Sequence, residues 1–241
     1  MSVAWIEPDW PAPASVRSAA TLRAGGASEG VYAGLNIGDH VGDNPAHVAA
    51  NRRMLREALQ LPAEPLWLSQ VHDAGVVWAD APESLSADAA VTLESGVVCV
   101  VMTADCLPIL LCDRAGSRVA AVHAGWRGLA CGVVEAAVLA MGGADLMAWM
   151  GPAIGPDAFE VGSEVRAAFL DRLIACKAAF RQSGDAHYRA DLYQLARIVL
   201  EGVGVRQIYG GKYCTYSDPD RFFSYRRDGQ TGRMATLIWR E

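Results

Sequence analysis

The sequence contains no long run of uncharged apolar residues and no cluster of lysine and arginine. A transmembrane helix needs about 20 mostly apolar residues, so we expect no membrane span. The chain carries 21 basic and 27 acidic residues and a formal net charge of −6, which argues against binding to nucleic acid or to an anionic membrane. Residues 1–10 lack the basic and apolar regions of a secretory signal, so we expect a cytoplasmic location.

Paired metal-binding motifs are also absent. The six cysteines form no C-x-x-C pair, which argues against zinc fingers and thioredoxin-type sites. Most of them lie in apolar segments such as VVCVVM and GLACGVV, and we expect all except Cys106 to be small buried thiols in a reducing compartment. The five histidines include no His-x-His pair, which argues against the several copper centres of a true multicopper oxidase.

The composition is that of a globular protein with a large core. Hydrophobic residues make up 52% of the 241 residues and charged residues 20%. No linker, repeat or low-complexity tract divides the chain, which predicts a single domain over residues 1–241. Strand and helix patterns mix without strict βαβ alternation, which predicts an α+β fold with a mixed sheet packed with helices.

Local patterns predict the main elements. Asn44 followed by Pro45 is typical of a helix start, and Asp191 with Gln194 forms a capping pair for a later helix. Ser163 is a candidate cap for a helix whose apolar side extends over residues 165–174. We expect strands at residues 66–71, 75–78, 97–102, 109–112, 118–122, 207–216 and 235–239, and a helix at residues 127–141.

Three side chains with metal-binding chemistry lie at or near the ends of predicted strands: His72, Cys106 and His123. Two imidazoles and one thiolate form a ligand set that suits zinc, and three protein ligands leave a fourth tetrahedral position open. Other interpretations remain open from the residues alone. Cys106 and His123 could form a nucleophile–base pair, and each residue singly could have only a structural role.

Motifs around these residues resemble the YfiH/laccase-domain family, which carries the older name of multicopper polyphenol oxidase. They are QVH (70–72), TADCLPILL (103–111) and HAGWRG (123–128). Further matching segments cover nearly the whole chain: RAGG (23–26), LNIG (35–38), DNP (43–45), GPAIG (151–155), FEVG (159–162), DL (191–192), FSYRR (223–227) and TGR (231–233). The chain departs from the family pattern at Leu22, where the family has threonine, and at Asp73, where it has glycine.

The resemblance implies a fold, a cofactor and an activity. The fold would be the α+β type shared with the catalytic domains of cytotoxic necrotizing factors. His72, Cys106 and His123 would bind zinc and carry catalysis, with copper as an adventitious alternative. The activity would be purine nucleoside phosphorylase, acting on adenosine, inosine and S-methyl-5'-thioadenosine with phosphate, together with adenosine deaminase activity.

Residues within the matched motifs are candidates for substrate binding. Arg23, Arg127 and Arg233 can bind phosphate through planar guanidinium groups, and Asn36 of the LNIG motif joins them as a substrate-binding candidate. Candidates for other roles are Asp73 and Asp105 for proton transfer, Trp126 and Phe223 for purine stacking or for the core, and residues 151–156 as a ligand-binding or purely connecting loop. His187 is either a surface residue or near the site, and His40 and His47 are expected to be structural.

Three rival functions remain. The first is a copper-dependent phenol oxidase. The second is a hydrolase of amide bonds in cell-wall (peptidoglycan) precursors, which would use Cys106 and His123 without a metal. The third is a domain that only binds partners. The sequence does not indicate an oligomeric state.

Overall fold

The computed structural model describes residues 3–143 and 145–241, so residues 1 and 2 of the segment considered for a secretory signal lie outside it. The strands are β1 (Trp5–Ile6), β2 (Val16–Thr21), β3 (Val76–Trp78), β4 (Ala89–Thr92), β5 (Val98–Thr103), β6 (Leu107–Asp113), β7 (Val119–Ala124), β8 (Leu146–Met150), β9 (Glu160–Gly162), β10 (Phe180–Gln182), β11 (His187–Ala190), β12 (Gln207–Gly210) and β13 (Met234–Arg240). The helices are α1 (Pro45–Leu59), α2 (Trp126–Cys131), α3 (Val133–Ala140), α4 (Ser163–Leu170), α5 (Leu192–Gly202) and α6 (Tyr225–Asp228), with 3-10 helices at Gly30–Tyr32 and Ile174–Ala179.

Two larger sheets and one small sheet organise the chain. The four-stranded sheet has the order β1-β2-β13-β5 and is antiparallel. The six-stranded sheet has the order β12-β8-β6-β7-β4-β3, and its outer strands β12 and β3 run parallel to their neighbours while the inner pairs are antiparallel. Strands β10, β11 and β9 form the small antiparallel sheet. The predicted α+β fold with a mixed sheet is confirmed.

The apolar core lies in layers on both faces of the larger sheets. Leu110 of β6 and Ile238 of β13 belong to a cluster between the two sheets. The other face of the six-stranded sheet packs against α3 and α5, and the outer face of the four-stranded sheet packs against Leu55 of α1. The six-stranded sheet is therefore covered on both faces, which explains why its strands are continuous apolar runs in the sequence.

This layering determines which way the candidate site residues point. Side chains alternate between the two faces of a strand, and Val119 and Ala121 of β7 face the other sheet. His123 lies two residues further along β7 and therefore shares their face. The chain passes from β5 in one sheet to β6 in the other through residues 104–106, so Cys106 lies at the corner between the two sheets.

Several predicted elements need correction. Residues 66–71 form only isolated bridges at Leu66 and Ser69 rather than a strand. The helix predicted over residues 127–141 is divided into α2 and α3 at Gly132, whose φ of 100° ends α2 in a left-handed cap. The strand predicted at residues 207–216 ends at Gly210.

Two of the predicted helix caps are confirmed and one is wrong. Asn44 caps α1 and Asp191 caps α5 through their side chains, as predicted. Gly162 rather than Ser163 is the N-cap residue of α4, which ends at Leu170. The apolar side predicted for this helix therefore does not continue to residue 174.

The cysteines are free thiols, and their burial corrects one expectation. Cys99, Cys112 and Cys176 are buried as predicted, whereas Cys131 is exposed and Cys214 is half-buried. In the part of the chain that the structure describes, no helix has the length and apolarity needed to cross a bilayer. The single domain predicted over residues 1–241 stays a prediction.

Candidate metal site and cleft

Three side chains from distant parts of the sequence converge at the corner between the sheets. His72, Cys106 and His123 each offer one ligand atom, and these atoms lie within 4.8 Å of one another. Cys106 Sγ is 4.0 Å from His72 Nε2, and the two imidazole rings meet edge to face with centroids 4.8 Å apart. His123 is buried, Cys106 is half-buried and His72 is exposed, so the cluster is open to solvent on one side.

A buried carboxylate contacts both histidines of the cluster. Asp88, which is 0% exposed, accepts a hydrogen bond from His123 Nδ1 at 2.7 Å. The same carboxylate accepts three successive backbone N–H groups, those of Val71, His72 and Asp73, at 2.9–3.1 Å. These bonds hold the segment around His72 against the end of β7.

The backbone at the cluster adopts conformations that side chains rarely occupy. His72 has a φ of 64° and Asp105, next to Cys106, has a φ of 88°. Such left-handed conformations persist only where the surroundings enforce them, and they are frequent at functional sites. The Asp105 carboxylate accepts hydrogen bonds from the Thr215 hydroxyl at 2.5 Å and the Arg226 amide at 2.6 Å, which hold the turn that carries Cys106.

Gly125 allows the ligands to approach one another closely. A Cβ atom at this position would lie 2.9 Å from Cys106 Sγ and 3.3 Å from His72 Cδ2. Gly125 has a φ of −60°, so steric space, rather than backbone strain, requires a glycine here.

The electrostatics of the cluster favour an ionised thiol. Burial disfavours the thiolate, but the imidazoles of His123 and His72 stabilise it more strongly and lower the pKa of Cys106 to about 6. Burial also disfavours the imidazolium of His123, yet the charges of Cys106 and Asp88 raise its pKa to about 9. A thiolate at neutral pH can bind a metal ion or act as a nucleophile.

The donor set is chemically suited to a divalent transition metal. Two imidazoles and one thiolate are ligands that zinc accepts in tetrahedral sites. The Asp88 contact to Nδ1 of His123 leaves Nε2 as the ligating atom, an arrangement that is common at metal-binding histidines. The residues present therefore fit a metal ion held by His72, Cys106 and His123.

The cluster lines a cleft of about 540 Å³. Its lining combines the polar groups of Asp105, Cys106 and His123 with aromatic side chains and three arginines. The lining residues are His40, Gln70, His72, Met102, Thr103, Ala104, Asp105, Cys106, His123, Trp126, Arg127, Ile154, Phe159, Tyr225, Arg226 and Arg233.

The three arginines of the cleft differ in their freedom to bind a ligand. Arg233 donates through Nη1 to the carbonyls of Thr231 and Gly232, and its charge lies near Cys106 and Asp105. Arg226 donates through Nη1 to the carbonyls of Ala158 at 3.4 Å and of Glu160, the first residue of β9, at 2.9 Å. Arg127 is exposed, and its guanidinium stacks 4.5 Å from the centroid of the Trp126 ring.

Arg127 and Arg233 thus lie in the cleft, but the other two substrate-binding candidates do not line it. Arg23 donates to the carbonyl of Pro219 and stacks over Phe223. Asn36 is 0% exposed and accepts a hydrogen bond from the backbone N–H of Arg233 at 2.8 Å. Direct contact of Arg23 and Asn36 with substrate stays a prediction. In the structure both side chains bind other parts of the protein, Arg23 the carbonyl of Pro219 and Asn36 the backbone of Arg233.

The remaining candidates are distributed as follows. Phe223 is fully buried in a small apolar cluster with Phe222, so the core interpretation holds for it, whereas Trp126 is only partly buried and lines the cleft. Asp105 lines the cleft, but Asp73 does not. Ile154 brings the loop at residues 151–156 to the cleft, while His187 is exposed on β11 outside its lining.

Sequence reasoning missed four residues that the structure brings to the site. Asp88 lies in none of the matched motifs. The signal for it in the sequence is weak, namely an acidic residue directly before a buried strand. His40 was expected to be structural, yet it lines the cleft, where burial and nearby Arg233 lower its pKa. Tyr225 and Arg226 lie within the FSYRR motif and could have been chosen from it.

The fold and sequence have clear relatives. The Pseudomonas aeruginosa protein named purine nucleoside phosphorylase is 53% identical over 239 residues, which cover 98% of this chain and 98% of that protein. The Escherichia coli K12 protein named purine nucleoside phosphorylase YfiH is 53% identical over 238 residues, covering 97% of this chain and 98% of that protein. A crystal structure of a Neisseria meningitidis protein from the family DUF152 superposes with a TM-score of 0.94 at 50% identity, covering 98% of this chain and 99% of that one.

The family assignment follows from a match over most of the chain. Residues 17–241 match the family described as multi-copper polyphenol oxidoreductase laccase. Together with the relatives above, this match confirms the resemblance found in the motifs. The chain belongs to the multi-copper polyphenol oxidoreductase laccase family.

Proposed function

We propose that this protein is a zinc-dependent purine nucleoside phosphorylase that acts on adenosine, inosine and S-methyl-5'-thioadenosine and also deaminates adenosine. The observation that carries the proposal is the His72–Cys106–His123 cluster in a cleft that also presents arginines. The names of the relatives from Pseudomonas aeruginosa and Escherichia coli support the purine nucleoside phosphorylase activity. The partners would be small molecules, namely purine nucleosides and phosphate.

The size of the cleft is consistent with these substrates. Pockets for small molecules typically measure about 300–1,000 Å³, and this cleft measures about 540 Å³. Trp126 and the exposed Tyr225 present aromatic rings in its lining, on which a purine can stack.

His72, Cys106 and His123 would hold the zinc ion. When bound, zinc supplies a Lewis acid that lowers the pKa of a coordinated water toward about 7. Asp88 accepts the Nδ1 proton of His123 and so keeps Nε2 free to coordinate. Both oxygens of Asp105 already accept hydrogen bonds, so its proposed role is to hold the Cys106 turn rather than to transfer protons.

Arg233 and Arg127 would bind phosphate. The guanidinium of Arg233 lies near Cys106, which places a fixed positive charge beside the proposed metal ligands. Arg127, at the first turn of α2, adds a second positive charge on the exposed rim. Planar guanidinium groups can bind phosphate through two parallel hydrogen bonds, which orients the anion for attack on the sugar.

Product analysis on protein of known metal content tests this function. We expect release of adenine from adenosine only when phosphate is present, with ribose 1-phosphate as the second product, and deamination to inosine with or without phosphate. Mass spectrometry of a nucleoside panel incubated with and without phosphate measures both. Equal base release in phosphate-free buffer would indicate hydrolysis and contradict the phosphorylase assignment.

A substitution in the same assay tests the phosphate contact. Arg233→Gln should lower kcat/KM for phosphate by about tenfold to a hundredfold, since a hydrogen bond to a charged group contributes about 1.5–3 kcal/mol. Deamination and zinc content should change little. Arg17→Gln, at an exposed residue paired with Glu241 outside the cleft lining, is the matched control. Phosphorolysis unaffected by Arg233→Gln would remove Arg233 from the phosphate site.

One observation favours a second candidate. The lowered pKa of Cys106 and the raised pKa of His123 also describe a thiolate–imidazolium pair, as a metal-free hydrolase of cell-wall precursors would use. Elemental analysis of protein purified without added metal distinguishes the two. Stoichiometric zinc supports the phosphorylase, stoichiometric copper with phenol oxidation supports the activity in the family's description, and activity on precursor amides without metal supports the hydrolase.

A further inference from the structure

We propose that Asp88 is a positioning residue that orients both histidine ligands, His123 through its imidazole and His72 through its backbone. The proposal rests on the metal site proposed above. Asp88 precedes β4 and is completely buried. A fully buried carboxylate is costly unless it is hydrogen-bonded and its charge is balanced, so its placement here requires an explanation.

Asp88 fixes His123 through both the side chain and the backbone. Its Nδ1 lies 2.7 Å from Asp88 Oδ1, so this nitrogen carries the proton that is donated to the carboxylate. The backbone N–H of His123 also donates to the Asp88 carbonyl at 2.7 Å. Main chain and side chain of His123 are therefore both fixed by the same residue, and Nε2 is the nitrogen available to a metal.

Asp88 holds His72 through the backbone. The amides of residues 71, 72 and 73 converge on the two carboxylate oxygens. This convergence accompanies the φ of 64° at His72, a conformation that a side-chain-bearing residue adopts at a cost. One carboxylate thus orients two ligands that are 51 positions apart in the sequence (123 − 72).

Metal competition measurements on Asp88→Asn test this positioning role. Loss of a residue that supports a metal-binding histidine typically lowers metal affinity about 10–100-fold, and we expect zinc affinity to fall in this range. The readout is competition with a chromophoric chelator for zinc.

The matched control is Asp113→Asn. Asp113 is also a buried carboxylate that accepts two backbone N–H groups, but it lies at the opposite end of β6 from Cys106. This variant should lose stability without a change in zinc affinity. Unchanged zinc affinity in Asp88→Asn would overturn the proposal.

A measurement on the wild-type protein keeps the proposal testable if Asp88→Asn does not fold, since the amide group of asparagine would face backbone N–H donors. Long-range ¹H–¹⁵N NMR spectra of the zinc-loaded protein should show His123 protonated at Nδ1 and metal-bound at Nε2. Metal at Nδ1 would overturn the proposal. A wild-type protein that binds no zinc would contradict the proposed function itself, which separates that failure from a failure of Asp88.

Discussion

The two halves of the cleft are each organised by one buried carboxylate, but the two carboxylates connect different parts of the chain. Asp88 connects residues that are near it in the six-stranded sheet and the preceding loop, and it directly contacts the His123 imidazole and the His72 backbone N–H. Asp105 instead bonds Thr215 and Arg226, more than 100 residues away, and these contacts attach the arginine-bearing segment to the turn that carries Cys106.

This difference separates metal binding from anion binding. The imidazole half is held by strand ends and by hydrogen bonds to Asp88, so it has little freedom to adjust. The arginine half depends on contacts between distant segments, such as Asn36 with Arg233. Changes on the imidazole side should therefore affect metal affinity, and changes on the arginine side should affect substrate binding with the metal retained.

The largest expected effect comes from removing the sulfur ligand. Cys106→Ala should abolish zinc binding and turnover, because two imidazoles alone are an incomplete ligand set for zinc. The fold should remain intact, since Cys106 is only half-buried at the corner between β5 and β6. Elemental analysis and circular dichroism measure both outcomes. Cys131→Ala, at an exposed thiol outside the cleft lining, is the control, and full zinc stoichiometry in Cys106→Ala would refute the ligand assignment.

The imidazole half of the site is easier to predict from the sequence than the arginine half. His72, Cys106 and His123 could be predicted together because each lies at or near the end of an apolar run or within a motif. The α+β class followed from the mixture of patterns. By contrast, Asp88 is a single aspartate whose burial and four hydrogen-bonding partners appear only after β4 and β7 pair.

The arginine half was harder to predict for a physical reason. Whether an arginine faces the cleft depends on contacts between the two ends of the chain, which no local pattern encodes. Arg23 and Arg233 lie in equally good motifs, yet Arg23 stacks over the buried Phe223 while Arg233 lines the cleft. The predicted strand at residues 66–71 was wrong for a related reason: at its end the N–H of Val71 donates to the side chain of Asp88 rather than to a neighbouring strand.

A smaller but still specific effect is expected from Gly125→Ala. The added Cβ would lie 2.9 Å from Cys106 Sγ, so the ligands must move apart, and we expect zinc affinity to fall about tenfold, in the lower part of the range seen when metal-binding side chains lose their support. Gly202→Ala is the control, because a Cβ there meets no atom within 4 Å. Chelator competition measures both variants. Equal zinc affinity in Gly125→Ala and Gly202→Ala would show that the metal ligands can move apart without weakening zinc binding.

The smallest effect on the metal, and the one that best distinguishes the two halves, is expected from Asp105→Asn. Its carboxylate accepts from both the Thr215 hydroxyl and the Arg226 amide, and the substituted amide can accept only one of these bonds. An unsatisfied buried group costs about 1–3 kcal/mol, so the free energy of unfolding in urea should fall by about that amount. The arginine segment is then held less firmly, so KM for phosphate should rise. Zinc affinity should fall by much less than in Asp88→Asn, because Asp105 supports the Cys106 turn but its side-chain hydrogen bonds reach neither histidine. If zinc affinity falls as far as in Asp88→Asn, the imidazole half and the arginine half act as one unit, and metal binding and anion binding are not separate.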